Sequence, residues 1–536
     1  MGYSYGIDLG TTYSCIARAN EKGEVEIIKN SEGKDITPSV VEFESAEKIA
    51  VGETAKEAAI INPENVMQYV KRDMGKEGHN RTFHGVTFTP EEISAYILKK
   101  MVKDAEEVVR EKITDVVITV PAYFGFDERQ ATINAGKIAG LNVLGIVNEP
   151  SAAAIAYSAK KADKQDKLVL VYDLGGGTFD ITVAEIIGDR VEVICTNGDH
   201  NLGGKDWDAN LADYVLSEFC AKTELTQDEV LEDGEFYNDL MLKVEDAKKM
   251  LSTKTATKIT LSMGTHKKQI DITREKFDEL TRGHLLNTIN LTKTVIESAA
   301  AKTSSKGTPC NKFDEIIFVG GSTRMTQIKE AIVKEFGMES VIFEPDLAVA
   351  KGAALLAQYI KPDSADAGGS NAGAGAAQTG GQKLAASGKF AEVTSKSYGI
   401  ETYYDYDKDK NKMVLSNVTM KNTKIPCNNT GKFVTLENNQ RNVAIVVYEN
   451  DSEAWTCELS FGKEIARSIL ELPPGLPRGA PLEATFSIDT SGMLTVTAVE
   501  MTKGLKCEIK TEIKGLDAKQ VEQLQQKADM MKVGGE

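Results

Sequence analysis

Gly6-Ile7-Asp8-Leu9-Gly10-Thr11-Thr12-Tyr13 and Asp173-Leu174-Gly175-Gly176-Gly177-Thr178-Phe179-Asp180 are two versions of one device set far apart in the chain. Each is an apolar strand that ends in an aspartate and opens into a Gly/Thr turn. Self-similarity at that distance predicts two related lobes rather than a short-period repeat. Two such turns facing each other across a cleft could hold one polyphosphate between them. Glycine permits close backbone approach, so successive N–H groups can point at phosphate oxygens. The hydroxyls of Thr11, Thr12 and Thr178 add donors. Asp8 and Asp173 supply hard oxygen ligands suited to a hydrated Mg²⁺.

The rest of the chain sets limits on function. Its 536 residues allow several domains at roughly 150 residues each. With 41% apolar and 27% charged residues the composition is that of an ordinary globular protein. A net charge of −17 argues against general nucleic-acid binding and against docking on anionic membranes. The start, Met1-Gly2-Tyr3-Ser4, has no basic region or long apolar run of the secretory kind. No later stretch has the roughly 20 apolar residues of a membrane span. The seven cysteines are scattered singly without CxxC spacing and read as reduced thiols. A cytoplasmic location is the expectation. The five histidines show no metal-ligand spacing.

Residues 1–361 alternate strand and helix signals, which predicts an α/β domain. Asp115-Val116-Val117-Ile118-Thr119-Val120 and Lys167-Leu168-Val169-Leu170-Val171-Tyr172 are short β-branched runs with the look of buried strands. Glu315-Ile316-Ile317-Phe318-Val319 is another, and it runs into a third glycine turn, Gly320-Gly321-Ser322-Thr323-Arg324. Helices are expected over 90–111 and 128–139. Ser151-Ala152-Ala153-Ala154 opens a helix of small residues whose backbone can pack closely. Residues 362–392 are rich in Gly, Ala, Ser and Gln and predict a flexible linker. Short alternating segments over 393–515 predict an antiparallel β-sandwich. Residues 516–536 have room for one short helix with Val521, Leu524, Ala528 and Met531 along one side.

The three glycine turns, with Val120-Pro121-Ala122-Tyr123-Phe124 and Asn148-Glu149-Pro150-Ser151-Ala152-Ala153-Ala154, closely resemble those of the heat-shock protein 70 (DnaK-type) chaperones. Asn417-Val418-Thr419-Met420-Lys421-Asn422-Thr423-Lys424-Ile425-Pro426 and Leu472-Pro473-Pro474-Gly475-Leu476-Pro477-Arg478-Gly479 resemble the family's substrate-binding sandwich. The resemblance implies an actin-like, two-lobed ATPase domain followed by that sandwich. It implies slow, Mg-dependent hydrolysis of ATP to ADP and phosphate, modulating the affinity for extended polypeptides. A J-domain co-chaperone and a nucleotide exchange factor are the implied partners.

The resemblance also assigns roles to residues. Asp8, Asp173 and Asp180 match the carboxylates that hold Mg²⁺ through water and orient the attacking water. Lys71 matches the lysine that reaches the γ-phosphate, where a positive charge stabilises charge developing during transfer. Glu149 matches the carboxylate that polarises the water. Gly10, Thr11, Thr12, Tyr13, Gly175, Gly176, Gly177 and Thr178 would form the phosphate turns. Glu245, Lys248, Ser252, Gly320, Gly321, Ser322, Arg324 and Asp346 resemble the adenosine pocket. Pro121 and Arg129 match a pair that relays nucleotide state to the second domain. Ile400, Thr402, Phe433, Val443, Ile445 and Leu482 align with a groove around an extended peptide, and Tyr403 and Leu436 with the arch over it.

Four departures qualify the resemblance. The Gly/Ala/Gln linker replaces a short acidic, leucine-rich connector, so little linker contact with the nucleotide domain is expected. The chain stops where a helical lid normally follows the sandwich. Gly145 stands where a basic residue usually contacts the J-domain, and Lys249 replaces an arginine expected to stack on adenine. The first three favour an alternative in the same family, a nucleotide-binding adaptor with weak or uncoupled ATPase. A small-molecule kinase on the same scaffold is the third reading.

Overall fold

The repeated sequence device produces a repeated architecture. The structure, a computed structural model, describes residues 3–161, 165–305, 307–360, 388–405, 409–509 and 516–533. Strand Ser4–Asp8 lies inside a six-stranded sheet, antiparallel to Tyr13–Ala19 and parallel to Asp115–Val120. Strand Lys167–Leu174 lies inside a seven-stranded sheet, antiparallel to Phe179–Ile187 and parallel to Glu315–Val319. In both sheets the aspartate sits at the end of a strand flanked by one antiparallel and one parallel neighbour. These strands are buried on both faces, as their unbroken β-branched runs require.

Helices Glu149–Lys160 and Ala348–Ile360 carry the small residues that let backbones meet. A Cβ built on Gly352 would lie 1.8 Å from the Ala152 carbonyl oxygen, and one on Gly6 would lie 2.1 Å from the Ala354 nitrogen. Helices Pro90–Val109 and Phe126–Ile138 cover the first sheet, close to the spans the sequence predicts. The first starts sharply because Thr89 and Glu92 form a capping box.

Beyond the linker the described strands form two antiparallel sheets. One has the order Thr456–Cys457, Asp409–Thr419, Ser397–Asp405, Asn442–Asn450, Gly462–Glu471; the other runs Cys427–Val434, Pro481–Ile488, Leu494–Glu500, Leu505–Ile509. Ile400 and Val447 from the first sheet share an apolar cluster with Phe486 and Val496 from the second.

Residues 361–387, most of the expected linker, lie outside the described residues. Its end departs from expectation. Phe390–Val393 is a strand that pairs in parallel with Arg190–Asp199 and antiparallel with Lys424–Ile425, joining the second lobe's sheet to the C-terminal region. The reason is local: Phe390 and Val393 are apolar and buried, while the Gly/Ala/Ser composition belongs to the residues before them.

The C-terminal helix Ala518–Met530, capped by Asp517, returns to the first lobe. Val521, Ala528 and Met531 are buried there and Leu524 packs against the same cluster. Lys532–Val533 then extends the edge of strand Lys48–Val51. Among the described residues no helix is long and apolar enough to cross a membrane.

Candidate functional site

The two glycine turns do face each other. A Cβ on Gly177 would lie 2.4 Å from a Thr11 methyl, and one on Gly176 would lie 2.4 Å from the Thr12 hydroxyl. The third turn closes onto the second: Gly320 has φ +81, and a Cβ there would lie 2.6 Å from the Asp173 carboxylate. The Ser322 hydroxyl donates to the Gly175 carbonyl at 2.8 Å. Between the turns is a cleft of about 720 Å³.

At its inner end four carboxylates surround one lysine. Lys71 sits in a 3₁₀ turn, Val70–Asp73, and donates to Glu149 in a buried ion pair. Asp8 accepts from the Thr119 hydroxyl at 3.0 Å. Asp180 accepts the Tyr123 N–H at 3.2 Å. Burial, then the charge of Glu149, raises Asp8 to about 7 and Asp180 to about 8, against the pull of Lys71. Asp173 is pushed well up by burial and by Glu149, Asp180 and Asp8. A buried group of acids with so little positive charge fits a cation. Among the described residues no three His, Cys, Asp or Glu converge as a closed metal shell. Asp8 and Asp173 therefore suit Mg²⁺ held largely through water.

At the outer end, residues from the two lobes meet over Tyr13. Glu245 pairs with Lys56 at 2.7 Å and with Lys249 at 2.8 Å, and the Tyr13 hydroxyl lies 3.4 Å from it. Those two lysines overcome burial and hold Glu245 down at about 2. Lys248 does not pair with Glu245; it bridges to Asp208 at 2.6 Å and to the Gly204 carbonyl at 3.1 Å. The Ser252 hydroxyl donates to the Lys248 carbonyl at 3.4 Å. Arg324 pairs with Asp346, and a Cβ on Gly321 would sit 3.0 Å from Asp346. All these side chains line the cleft with Gly10, Gly175 and Thr178.

Several residues at the site carry no role in the sequence reading. Arg72 reaches from the first lobe to the Gly177 carbonyl, at 2.6 Å, and to Asp206, at 2.7 Å. Its position directly after Lys71 was the available signal. Lys56, Thr119, Lys205 and Asp208 had none short of the fold.

A profile of the family described as Hsp70 protein matches residues 4–85 and 78–535. The chain belongs to the Hsp70 family. The two matched spans overlap where Arg81–Phe83 and Val86–Phe88 form a small hairpin. Hsp70 membership points to ATP-dependent chaperone function with ATP or ADP and Mg, and the mixed sheets flanked by helices are consistent with an actin-like ATPase fold.

Arg129 is buried where three parts of this Hsp70 chain meet. It donates to the Asn148 side chain at 2.6 Å, to the Phe124 carbonyl at 3.0 Å and to the Ser491 carbonyl at 3.4 Å. Pro121 begins the same turn, its carbonyl accepting the Phe124 N–H at 3.1 Å. Of the groove residues, Ile400, Ile445 and Leu482 are buried in the C-terminal core, with Phe433 and Val443 at its margin. Thr402 hydrogen-bonds the Ser416 hydroxyl at 2.7 Å. Tyr403 is exposed, and half-buried Leu436 donates its N–H to Gln440 at 2.9 Å. Gly145 borders the C-terminal region, since a Cβ there would lie 3.6 Å from the Ser491 hydroxyl.

Proposed function

We propose that the chain is an ATP-driven chaperone. On this reading the cleft hydrolyses ATP, and the C-terminal sheets, read as a β-sandwich, bind extended apolar peptide segments. The observation that carries the reading is the pair of glycine turns in contact across the cleft, with the Lys71–Glu149 pair and Asp8 and Asp173 beside them. Successive N–H groups of the turns would hold the phosphates. Lys71 would stabilise charge on the transferred group, and Glu149 and Asp180 would orient water for in-line attack. Mg²⁺, when bound at Asp8 and Asp173, would neutralise phosphate charge. J-domain and exchange-factor partners and a cytoplasmic location belong to the same proposal.

Communication between the parts has a physical route. Arg129 joins Asn148, the residue before Glu149, to Ser491 in the C-terminal region, and Glu392 of the linker strand accepts from the Ser151 hydroxyl at 2.6 Å. Both contacts bear on the first turn of the helix that carries Glu149. A movement of the C-terminal sheets would thus be felt at the carboxylate.

One observation favours a second reading, the nucleotide-binding adaptor with uncoupled ATPase. Ile400, Ile445 and Leu482 are occupied in core packing. ATP turnover with Mg²⁺, measured with and without a leucine-rich extended peptide, separates the two. Stimulation by peptide supports the chaperone; turnover indifferent to peptide, or none, supports the adaptor.

A further inference from the structure

Lys205 is the cation of the cleft that has no carboxylate. Lys34 pairs with Glu53, Lys56 and Lys249 with Glu245, Lys71 with Glu149, Lys248 with Asp208 and Arg324 with Asp346. Each of these lines the cleft, as does Lys205, which makes no ion pair among the described residues. Its ammonium lies over the Tyr69 ring, 4.7 Å from the centroid, reaching from the second lobe to the first just before Lys71.

Its backbone fixes it to the phosphate turn. The Gly204 N–H donates to the Gly175 carbonyl at 3.0 Å and the Lys205 N–H to the Gly176 carbonyl at 2.9 Å. Lys205 is also the second residue of helix Gly204–Thr223. A cation there opposes the helix dipole, which favours acids in the first turn. The neighbouring Asp206 has the favourable sign, but Arg72 holds it at 2.7 Å. Burial, then Arg72, lowers the affinity of Lys205 for its proton. A lysine kept in such a place costs stability in the free protein, and an anionic ligand would offset that cost.

We propose that Lys205 is a second lysine at the phosphate end of the cleft, one that favours a nucleoside triphosphate over a diphosphate. The inference rests on the reading of the cleft as an ATP site. Lys71 approaches from the first lobe, whereas Lys205 is anchored to the turn of the second. A triphosphate long enough to meet both draws the lobes together, and a diphosphate does not.

The test uses the full chain and calorimetric titration with MgADP and with the magnesium complex of a non-hydrolysable imido analogue of ATP. Lys205→Met is expected to weaken the triphosphate analogue about tenfold, the scale of one charge-assisted hydrogen bond, and to leave ADP nearly unchanged. Lys205→Arg should retain the preference. The unliganded Met variant should melt no lower than wild type, which a merely structural lysine would not allow. If Lys205→Met aggregates, Lys205→Gln carries the same comparison. Equal weakening of both nucleotides, or of neither, overturns the inference while leaving the ATP site standing. A wild-type protein that binds neither nucleotide overturns the ATP site itself.

Discussion

Gly352 and Ala152 mark the crossing of the helices Ala348–Ile360 and Glu149–Lys160, with room for a hydrogen and nothing larger. A Cβ on Gly352 would stand 1.8 Å from the Ala152 carbonyl oxygen and 2.4 Å from its carbonyl carbon. Backbone cannot swing aside as a side-chain end can. Gly352→Ala is expected to force the helices apart and to cost about 1–3 kcal/mol or more, the usual scale of overpacking. Denaturant unfolding measures it. A midpoint unchanged from wild type would show that the two helices part without cost.

Lys71 is the one positive charge paired within a group of four acids. Lys71→Met leaves Glu149 buried with no cation, and removing one partner of a buried pair costs about 3–5 kcal/mol. Loss of a charge aimed at the transferred group is expected to reduce single-turnover ATP hydrolysis by about 10²–10³. Glu149→Gln should also slow hydrolysis by about 10² but melt closer to wild type, because Asp8, Asp173 and Asp180 still surround the Lys71 charge. Hydrolysis within threefold of wild type in both variants would remove the pair from the chemistry.

Much of this site is legible in the sequence because glycine turns and strand-ending aspartates are local signals. The turns 10–13, 175–178 and 320–324 can be found without knowing what they touch. The small residues after Ser151 likewise announce a close helix contact, though not that Gly352 supplies the other half. Pairings set by the fold are not legible. Lys248 meets Asp208 rather than its helical neighbour Glu245, and Lys205 acquires significance only when every other cation in the cleft is found to be paired. Phe390–Val393 is hidden for another reason: two apolar residues at the end of a low-complexity stretch are too short a signal to announce a strand, which forms on a neighbour's open edge. Ile400 and Ile445 show the converse, since alternation in a sheet marks a buried face without telling core from groove.

Glu449 makes the seating of the C-terminal sheets sensitive to pH. Its carboxylate accepts the Phe126 N–H at 2.9 Å. Glu128 acts on it from that helix, Lys463 lies 3.7 Å away but pairs more closely with Asp127 at 2.7 Å, and Lys396 acts from the neighbouring segment. Burial, then Glu128, raises it from 4.5 to about 7 against the pull of Lys463. Between those values the seated form holds a proton that the released form has lost. Seating therefore tightens as pH falls through 7 and levels off below 4.5; above 7 the full cost of the buried charge is present. That cost is on the order of 3 kcal/mol. Buried Glu392, raised to about 6, adds a response of the same sign. Small-angle scattering should show a more compact chain at pH 5.5 than at pH 8, and Glu449→Gln should flatten most of the difference. An opposite trend would mean that Lys463 and Lys396 outweigh burial.

The C-terminal helix is held on the first lobe by an apolar face and a charged rim. Val521 and Ala528 are buried two turns apart on one side, the spacing that puts them on one face. Lys527 pairs with Glu92 at 2.7 Å and Lys99 with Asp529 at 2.7 Å. The Lys99–Asp529 pair is partly exposed and worth little, whereas Lys527 neutralises the buried Glu92 carboxylate beside the apolar face. Val521→Asp removes about 1.5–3 kcal/mol of burial and leaves a carboxylate to be desolvated. The helix should come off, and proteolysis within 516–533, followed by mass spectrometry, should accelerate at least about tenfold, since 1.4 kcal/mol already corresponds to a factor of ten. Nucleotide binding should survive, because none of these side chains lines the cleft. Asp529→Lys, which reverses only an exposed rim charge, should accelerate cleavage far less. Equal acceleration in the two variants would show that charge, not the apolar face, seats the helix.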